Sequence, residues 1–251
     1  MIKKIATYKL FVLPILTAFF AVASHSQSAI TPKASVPDKP PAVIENTPVE
    51  TAKATLAAHG GDKLKKMKSL VVRGSVDITG AFSQIIPATF ALVIAGDRYV
   101  FELNNPIQPL KQIFDGKNTY STGYELPPVT SLGFPLLSKI GETGYVIAVL
   151  PEAKRKKKGF RVTTPDGFYS DFFVDEKTGQ IKGFESSYDV DGRIVTTSVE
   201  IDEFQTVEGV IVPKRYSQRF DLGQMTAYAN FKTKDIFVNS AIGDDVFSIP
   251  K

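Results

Sequence analysis

"FYSDFFVDEKTGQIKGFESSYDVDG", Phe168 to Gly192, decides the architecture. Phe168, Phe172 and Val174 share one face at the two-residue period of a strand, while Tyr169 and Phe173 alternate with Asp171 and Asp175 on the other. Thr178-Gly179 turns the chain, and a second alternating run returns to Asp191-Gly192, which makes the stretch a β-hairpin. Its first strand carries rings on both faces, so something must cover each of them.

The same period continues in both directions. LVVRGSVDI places Leu70, Val72, Val76 and Ile78 against Arg73, Ser75 and Asp77. ATFALVIAG, DRYVFEL, QIFDGKNTYST and GFRVTTP follow before the hairpin, and RIVTTSVEIDEF, VIVPKRYSQRF and MTAYANFKTKDIFV come after it. Asp115-Gly116, Asp166-Gly167, Glu208-Gly209 and Leu222-Gly223 supply tight turns, since glycine reaches positive φ without steric cost. Parallel pairing would need helical crossovers, and the sequence has none, so the strands form an antiparallel meander. Two stretches depart from this period. Thr47-Pro48-Val49-Glu50 is a capping box with proline at the first helical position, and it starts a helix with Val49, Ala52 and Leu56 on one side and Gly60-Gly61 as its stop. DKLKKMK then presents Leu64 and Met67. Leu126 to Leu150 is apolar but irregular, and it reads as a loop with a short helix lying over the sheet.

The amino terminus sets the compartment. MIKKIATYK is basic, an apolar run from Leu10 to Ala23 follows, and small residues come next, which describes a secretory signal peptide over residues 1–26. The run is 14 residues and contains Pro14, too short for the ~20 that span a bilayer. Cleavage after Ala23, Ser26, Ser28 or Ala29 fits the small-residue spacing. Residues 27–46, rich in Pro and Ser, read as a flexible tether, and residues 47–251 as one domain. Removing the leader takes Lys3, Lys4 and Lys9 from a net charge of +4 and leaves +1, which gives no electrostatic reason to expect nucleic acid. The absence of cysteine excludes disulfides, thiolate catalysis and an N-terminal lipid anchor through Cys.

Catalytic equipment is sparse. Of two histidines, His25 leaves with the leader, and His59 stands at the carboxyl end of the helix, where an imidazole suits the dipole. Asp189 and Asp191, Asp202 and Glu203, and Asp244 and Asp245 are acidic pairs at turns or strand ends, and hairpin geometry explains them without an ion. No cofactor or metal is expected, and no enzymatic activity. Lys154, Arg155, Lys156, Lys157 and Lys158 form a dense cationic run that is either a solvated hairpin tip or a contact with anionic lipid headgroups or a membrane-protein partner.

"AAHGGDKLKKMKSLVVRG", "FDGKNTY", "VDEKTGQIKGFE", "GVIVPKRY" and "NSAIGDDVFSIP", in that order, resemble the LolA-like superfamily of periplasmic lipoprotein carriers over residues 47–251. The resemblance implies a mainly β fold with few helices: an incomplete antiparallel β-barrel of about eleven strands, with a helical lid over a concave apolar interior that receives acyl chains. It implies a monomeric carrier of a lipid or an acylated protein. An arginine at the sheet-to-lid contact is a feature of such carriers, and Arg98 in "AGDRYVFEL" is the nearest match, although the family's proline is missing. Phe90, Leu92, Ile94, Tyr99, Phe101, Leu103, Phe168, Phe172 and Phe184 are the candidates for the ligand-lined interior, with Leu136 and Leu137 in the lid. The same residues would also build a filled core, in which case the chain is a periplasmic interaction or sensor module without lipid cargo.

Overall fold

The computed structural model describes residues 47–80, 84–107, 109–123, 126–190, 192–221 and 226–250. The leader, the tether, Asp191 and the Leu222-Gly223 turn lie outside them. In chain order come α1 (Pro48–Ala58), α2 (Asp62–Lys65), β1 (Ser69–Thr79), β2 (Ile85–Ala95), β3 (Arg98–Asn104), β4 (Leu110–Phe114) and β5 (Thr119–Ser121). A 3-10 segment, Phe134–Lys139, precedes β6 (Val146–Ala148), β7 (Gly159–Thr163), β8 (Tyr169–Val174), β9 (Ile181–Val190), β10 (Arg193–Val207), β11 (Val210–Asp221) and β12 (Thr226–Val238).

The capping box forms: the Thr47 N–H donates to the Glu50 carboxylate at 2.8 Å and the Glu50 N–H to Thr47 Oγ1 at 3.2 Å. The buried stripe of α1 is Thr51, Ala52, Thr55 and Leu56, whereas Val49 is 39% exposed. Val49 was expected inward. The threonines complete the stripe at helical spacing, and hydropathy alone reads them as polar.

All strands pair antiparallel in one sheet, in the order β5-β4-β3-β2-β1-β12-β11-β10-β9-β8-β7-β6. Neighbours in sequence are neighbours in the sheet, except that β12 returns to pair with β1, leaving β5 and β6 as the two edges. Twelve described strands stand against the expected eleven. The addition is β6, three residues inside the stretch read as irregular, too short to display a period.

The sheet is curled. Side chains from β4 and β9, seven positions apart in the strand order, line one common cavity, whereas a flat sheet would hold them roughly 34 Å apart at ~4.8 Å per strand. Register shifts at Arg73/Gly74, Phe173/Val174 and Ile201/Glu203 supply bends. Gly183 lies where β9 presses on β10: a Cβ there would sit 2.0 Å from the Val199 carbonyl oxygen.

Each face has its own cover. The concave face holds the main core, closed at one end by α1 and the 3-10 segment, with Leu56, Leu64, Leu136, Leu137 and Ile140 packed on Phe160, Phe172 and Ile181. On the convex face, Val71, Val93, Val100 and Ile113 pack beneath Phe247 of the C-terminal tail, with Ile242 and Ile249 beside it. The rings of β8 divide in the same way. Phe172 stacks on Phe160 at 5.2 Å on the concave side, while on the convex side the Arg161 guanidinium lies 3.9 Å from the Tyr169 centroid and the Lys157 ammonium 4.4 Å from that of Phe173. Cationic side chains of β7 and the loop before it, rather than a further layer of loops, cover the second face.

Candidate apolar cavity

Between the concave face and the segment from Leu126 to Pro135 lies a cavity of about 340 Å³. Leu70, Val72, Val76 and Ile78 of β1, with Leu92, Phe101 and Leu103 of β2 and β3, form one wall. Phe184 and Tyr188 of β9, Thr197 and Val199 of β10, and Tyr216 and Gln218 of β11 form the other. Leu126, Val129, Leu132 and Phe134 roof it. It runs along the strands from the end closed by α1, where Leu70 and Val212 line it, toward the end that carries the β1–β2, β3–β4 and β11–β12 connections. Tyr228 there is 47% exposed and marks the mouth.

The nine interior candidates therefore separate. Leu92, Phe101, Leu103 and Phe184 line the cavity. Phe90, Ile94, Tyr99 and Phe172 are buried in the filled core around it. Phe168 is half-buried in the β7–β8 connection, just before the strand. Leu136 and Leu137 are fully buried and hold the roof down rather than line the void.

Polar side chains fix the roof to the sheet. The Gln112 amide donates to the Leu126 carbonyl at 2.7 Å and its oxygen accepts the Leu126 N–H at 3.2 Å, so it pairs with the chain as a strand would. Gln112 also donates to the Tyr99 hydroxyl at 2.6 Å. The Gly133 N–H donates to Ser170 Oγ at 2.8 Å, and Ser170 in turn bonds Ser186 Oγ at 2.8 Å. Gly133 has φ +61° and rests on the Phe184 ring, which a Cβ would approach to 2.3 Å. Sequence reasoning missed these anchors. The available signal was a serine in mid-strand among aromatic residues, and a glutamine sharing its strand face with Leu110 and Phe114.

His59 is the C-cap residue of α1 and is fully buried. Its Nε2 accepts the Ile181 N–H at 3.1 Å, so the ring proton lies on Nδ1, which donates to the Ile211 carbonyl at 2.9 Å. Burial lowers its pKa, against the opposing effect of the Ile211 bond. Phe134 of the roof meets the ring edge-on at 5.7 Å.

Arg98 is on the other face. Its guanidinium donates to Asp244 at 2.8 Å and lies 4.5 Å from the Phe247 centroid. The roof was its expected neighbour, but residue parity along β3 puts Tyr99 on the concave side and Arg98 with Val100 on the convex side. Arg98 therefore clamps the C-terminal tail.

The cationic run precedes β7 at the end of the sheet opposite the mouth. Arg155, Lys156, Lys157 and Lys158 are exposed, while Lys154 turns inward between Asp171, at 2.8 Å, and Glu185. Asp171 is fully buried and receives Arg161 Nε at 2.6 Å and its second nitrogen at 2.9 Å. Burial alone would raise the Asp171 pKa, but the bonds from Arg161 and Lys154 bring it below the ordinary value. Among the acidic pairs, Asp189 accepts the Gly192 N–H of its own turn, Glu203 pairs with Lys214, and Asp244 with Arg98. Among the described residues no three His, Asp or Glu side chains converge where they could hold a metal ion.

No protein-family model and no curated protein matches the chain. Solved structures do. A LolA superfamily protein from Nitrosomonas europaea superimposes with a TM-score of 0.50 at 10% identity, over 82% of this chain and 99% of that one. A DUF1329 family protein from Desulfovibrio piger also gives a TM-score of 0.50, at 8% identity over 81% and 98% of the two chains. The fold is LolA-like: mainly β, an open antiparallel sheet with few helices.

Proposed function

We propose, from a LolA-like sheet curled around an unfilled apolar cavity, that this protein is a periplasmic carrier or binding protein for a lipid or the acyl chain of a lipidated protein. It works by burial alone. Each methylene removed from water contributes roughly 0.8 kcal/mol, so an apolar groove suffices for affinity without covalent chemistry. The observation that carries the reading is the cavity of about 340 Å³ between sheet and roof. A filled core would leave a sensor or interaction module without cargo, and this void favours the carrier instead. A second feature supports it. Ile85, Ile107 and Ile194 are 62%, 73% and 64% exposed, and all three lie at the mouth end, Ile85 and Ile194 at the starts of β2 and β10 and Ile107 in the β3–β4 connection. Apolar side chains there shorten the passage of a chain through water between membrane and cavity. Export rests on the leader-like residues 1–26. The cationic run plays no part in this transfer, because it faces away from the mouth. Native mass spectrometry of protein taken gently from the periplasm tests the proposal: a co-purifying lipid mass is expected, and a uniformly ligand-free species argues against it.

A further inference from the structure

The two walls of the cavity differ in kind. The β1–β3 wall and the roof present only hydrocarbon and aromatic rings, whereas the β9–β11 wall carries Tyr188, Thr197, Gln218 and Tyr216. These fall on successive rungs of the ladder: Tyr188 opposite Val195, Thr197 opposite Phe220, Gln218 opposite Val199 and Tyr216 opposite Ile201. Six residues of β10 separate the first rung from the last, so the lane descends about 20 Å from mouth to floor. Gln218 donates to Thr197 Oγ1 at 2.8 Å. Neither the Tyr188 nor the Tyr216 hydroxyl has a hydrogen-bond partner among the described residues, although Tyr188 is only 8% exposed. Burial raises the pKa of both phenols, which keeps them protonated as donors. Neither hydroxyl is among the sealed, unpartnered polar atoms of the described residues, so each opens onto the cavity space, where a ligand carbonyl can accept from it in place of water.

Charge is the second half of the observation. No Asp, Glu, Lys, Arg or His lines the cavity among the described residues. The internal residues outside the description include none of the three basic types either. A carboxylate brought below the rim would be desolvated with hydroxyls and an amide but no cation beside it.

We infer that the cavity selects a slender, uncharged acyl lipid, one ester- or amide-linked chain whose carbonyl oxygen accepts from Tyr188 and the lane below it, over a free fatty acid. This rests on the carrier reading and narrows it. The volume lies at the small end of ligand pockets, ~300 to 1,000 Å³, which suits one chain rather than several. The apolar wall and roof take the hydrocarbon, and the lane takes the carbonyl.

The test compares three probes on the purified protein by fluorescence or by displacement: diphenylhexatriene, which is pure hydrocarbon; 1-monopalmitoylglycerol, a neutral ester; and palmitate. At pH 8 the ester is expected to displace diphenylhexatriene at least tenfold more effectively than palmitate. Palmitate should gain on it as the pH falls and the acid becomes neutral, while the ester shows no such trend. Tyr188→Phe removes only an unpartnered hydroxyl. It should weaken the ester roughly three- to tenfold, the worth of one hydrogen bond, and weaken diphenylhexatriene, which offers the hydroxyl no acceptor, by less. Palmitate binding as tightly as the ester at pH 8, or Tyr188→Phe leaving the ester unaffected, overturns the inference while uptake of diphenylhexatriene leaves the carrier standing. If none of the three probes binds, the carrier reading falls and takes the inference with it.

Discussion

At neutral pH the imidazole of His59 carries no charge, because its Nε2 must accept the Ile181 N–H and burial disfavours the imidazolium. The direction of the pH effect follows. In the unfolded chain the group titrates near 6.5, and in the native protein its pKa is lower. As the pH falls below about 6.5 the unfolded state takes up a proton that the folded state refuses, so stability declines in that window and is fully present above it. Urea unfolding between pH 7.5 and 5.5 should show this decline. His59→Gln, less stable throughout, should show a flatter profile. Asp171 behaves in the opposite chemical sense with the same acid sensitivity. Its depressed pKa stabilises the fold above the ordinary carboxylate value, near 3.9, and that contribution is lost as the pH falls through the folded pKa. Asp171→Asn leaves Arg161 and Lys154 facing a neutral amide in a buried site and should cost ~3 kcal/mol in the same urea assay.

Two elements are each held by a few contacts that mutation can separate. The C-terminal tail closes the convex face through Phe247, which is 2% exposed, and through the pair of a partly buried Arg98 with an exposed Asp244. Phe247→Ala uncovers Val71, Val93, Val100 and Ile113 and should cost ~3 kcal/mol. Arg98→Ala, losing a solvent-screened pair, should cost no more than ~1 kcal/mol. Thermal melts of the two variants decide whether ring or charge holds the tail. The roof is held by Gln112 at Leu126 and by Ser170 at Gly133. Gly133→Ala drives a methyl into Phe184 in a left-handed backbone, a strain of ~1 to 3 kcal/mol. It should lift the roof, seen as faster hydrogen exchange over residues 126–139 while the β10–β12 amides stay protected.

For the molecule as a whole, the cavity sets stability against uptake. A void lined by hydrocarbon forfeits dispersion contacts that a side chain could supply. Ala229 lines the cavity beside Gln218 in the ladder, one residue in from Tyr228 at the mouth, and is 5% exposed. Ala229→Leu should occupy part of the void, leave the melting temperature equal or higher, and reduce diphenylhexatriene uptake several-fold. Unchanged uptake in a well-folded variant would place binding elsewhere. The same view separates the cavity from the cationic run. They lie at opposite ends of the strands, so substituting Arg155, Lys156, Lys157 and Lys158 with Ser should not alter probe uptake.

The sequence by itself determined every described strand but the three-residue β6, their antiparallel order and the capped helix. Those follow from local rules: a period of two, glycine at positive φ, a threonine and a glutamate three residues apart. It also determined which residues of β1 share a face, since parity is a property of the chain. Only the tertiary structure decided which of two equally apolar faces became a cavity and which became a seat for the tail. Parity says that Arg98 opposes Tyr99, but not that the roof lies over Tyr99. The burial of His59 depends on partners more than a hundred residues away, the separation of Leu92 and Phe101 as cavity wall from Phe90 and Ile94 as filled core on the curl of the whole sheet, and the withdrawal of Lys154 into an ion pair on carboxylates 17 and 31 residues further along the chain. Hydrophobic burial is non-directional, so a greasy side chain specifies that it will be covered and leaves the covering to the packing of distant elements.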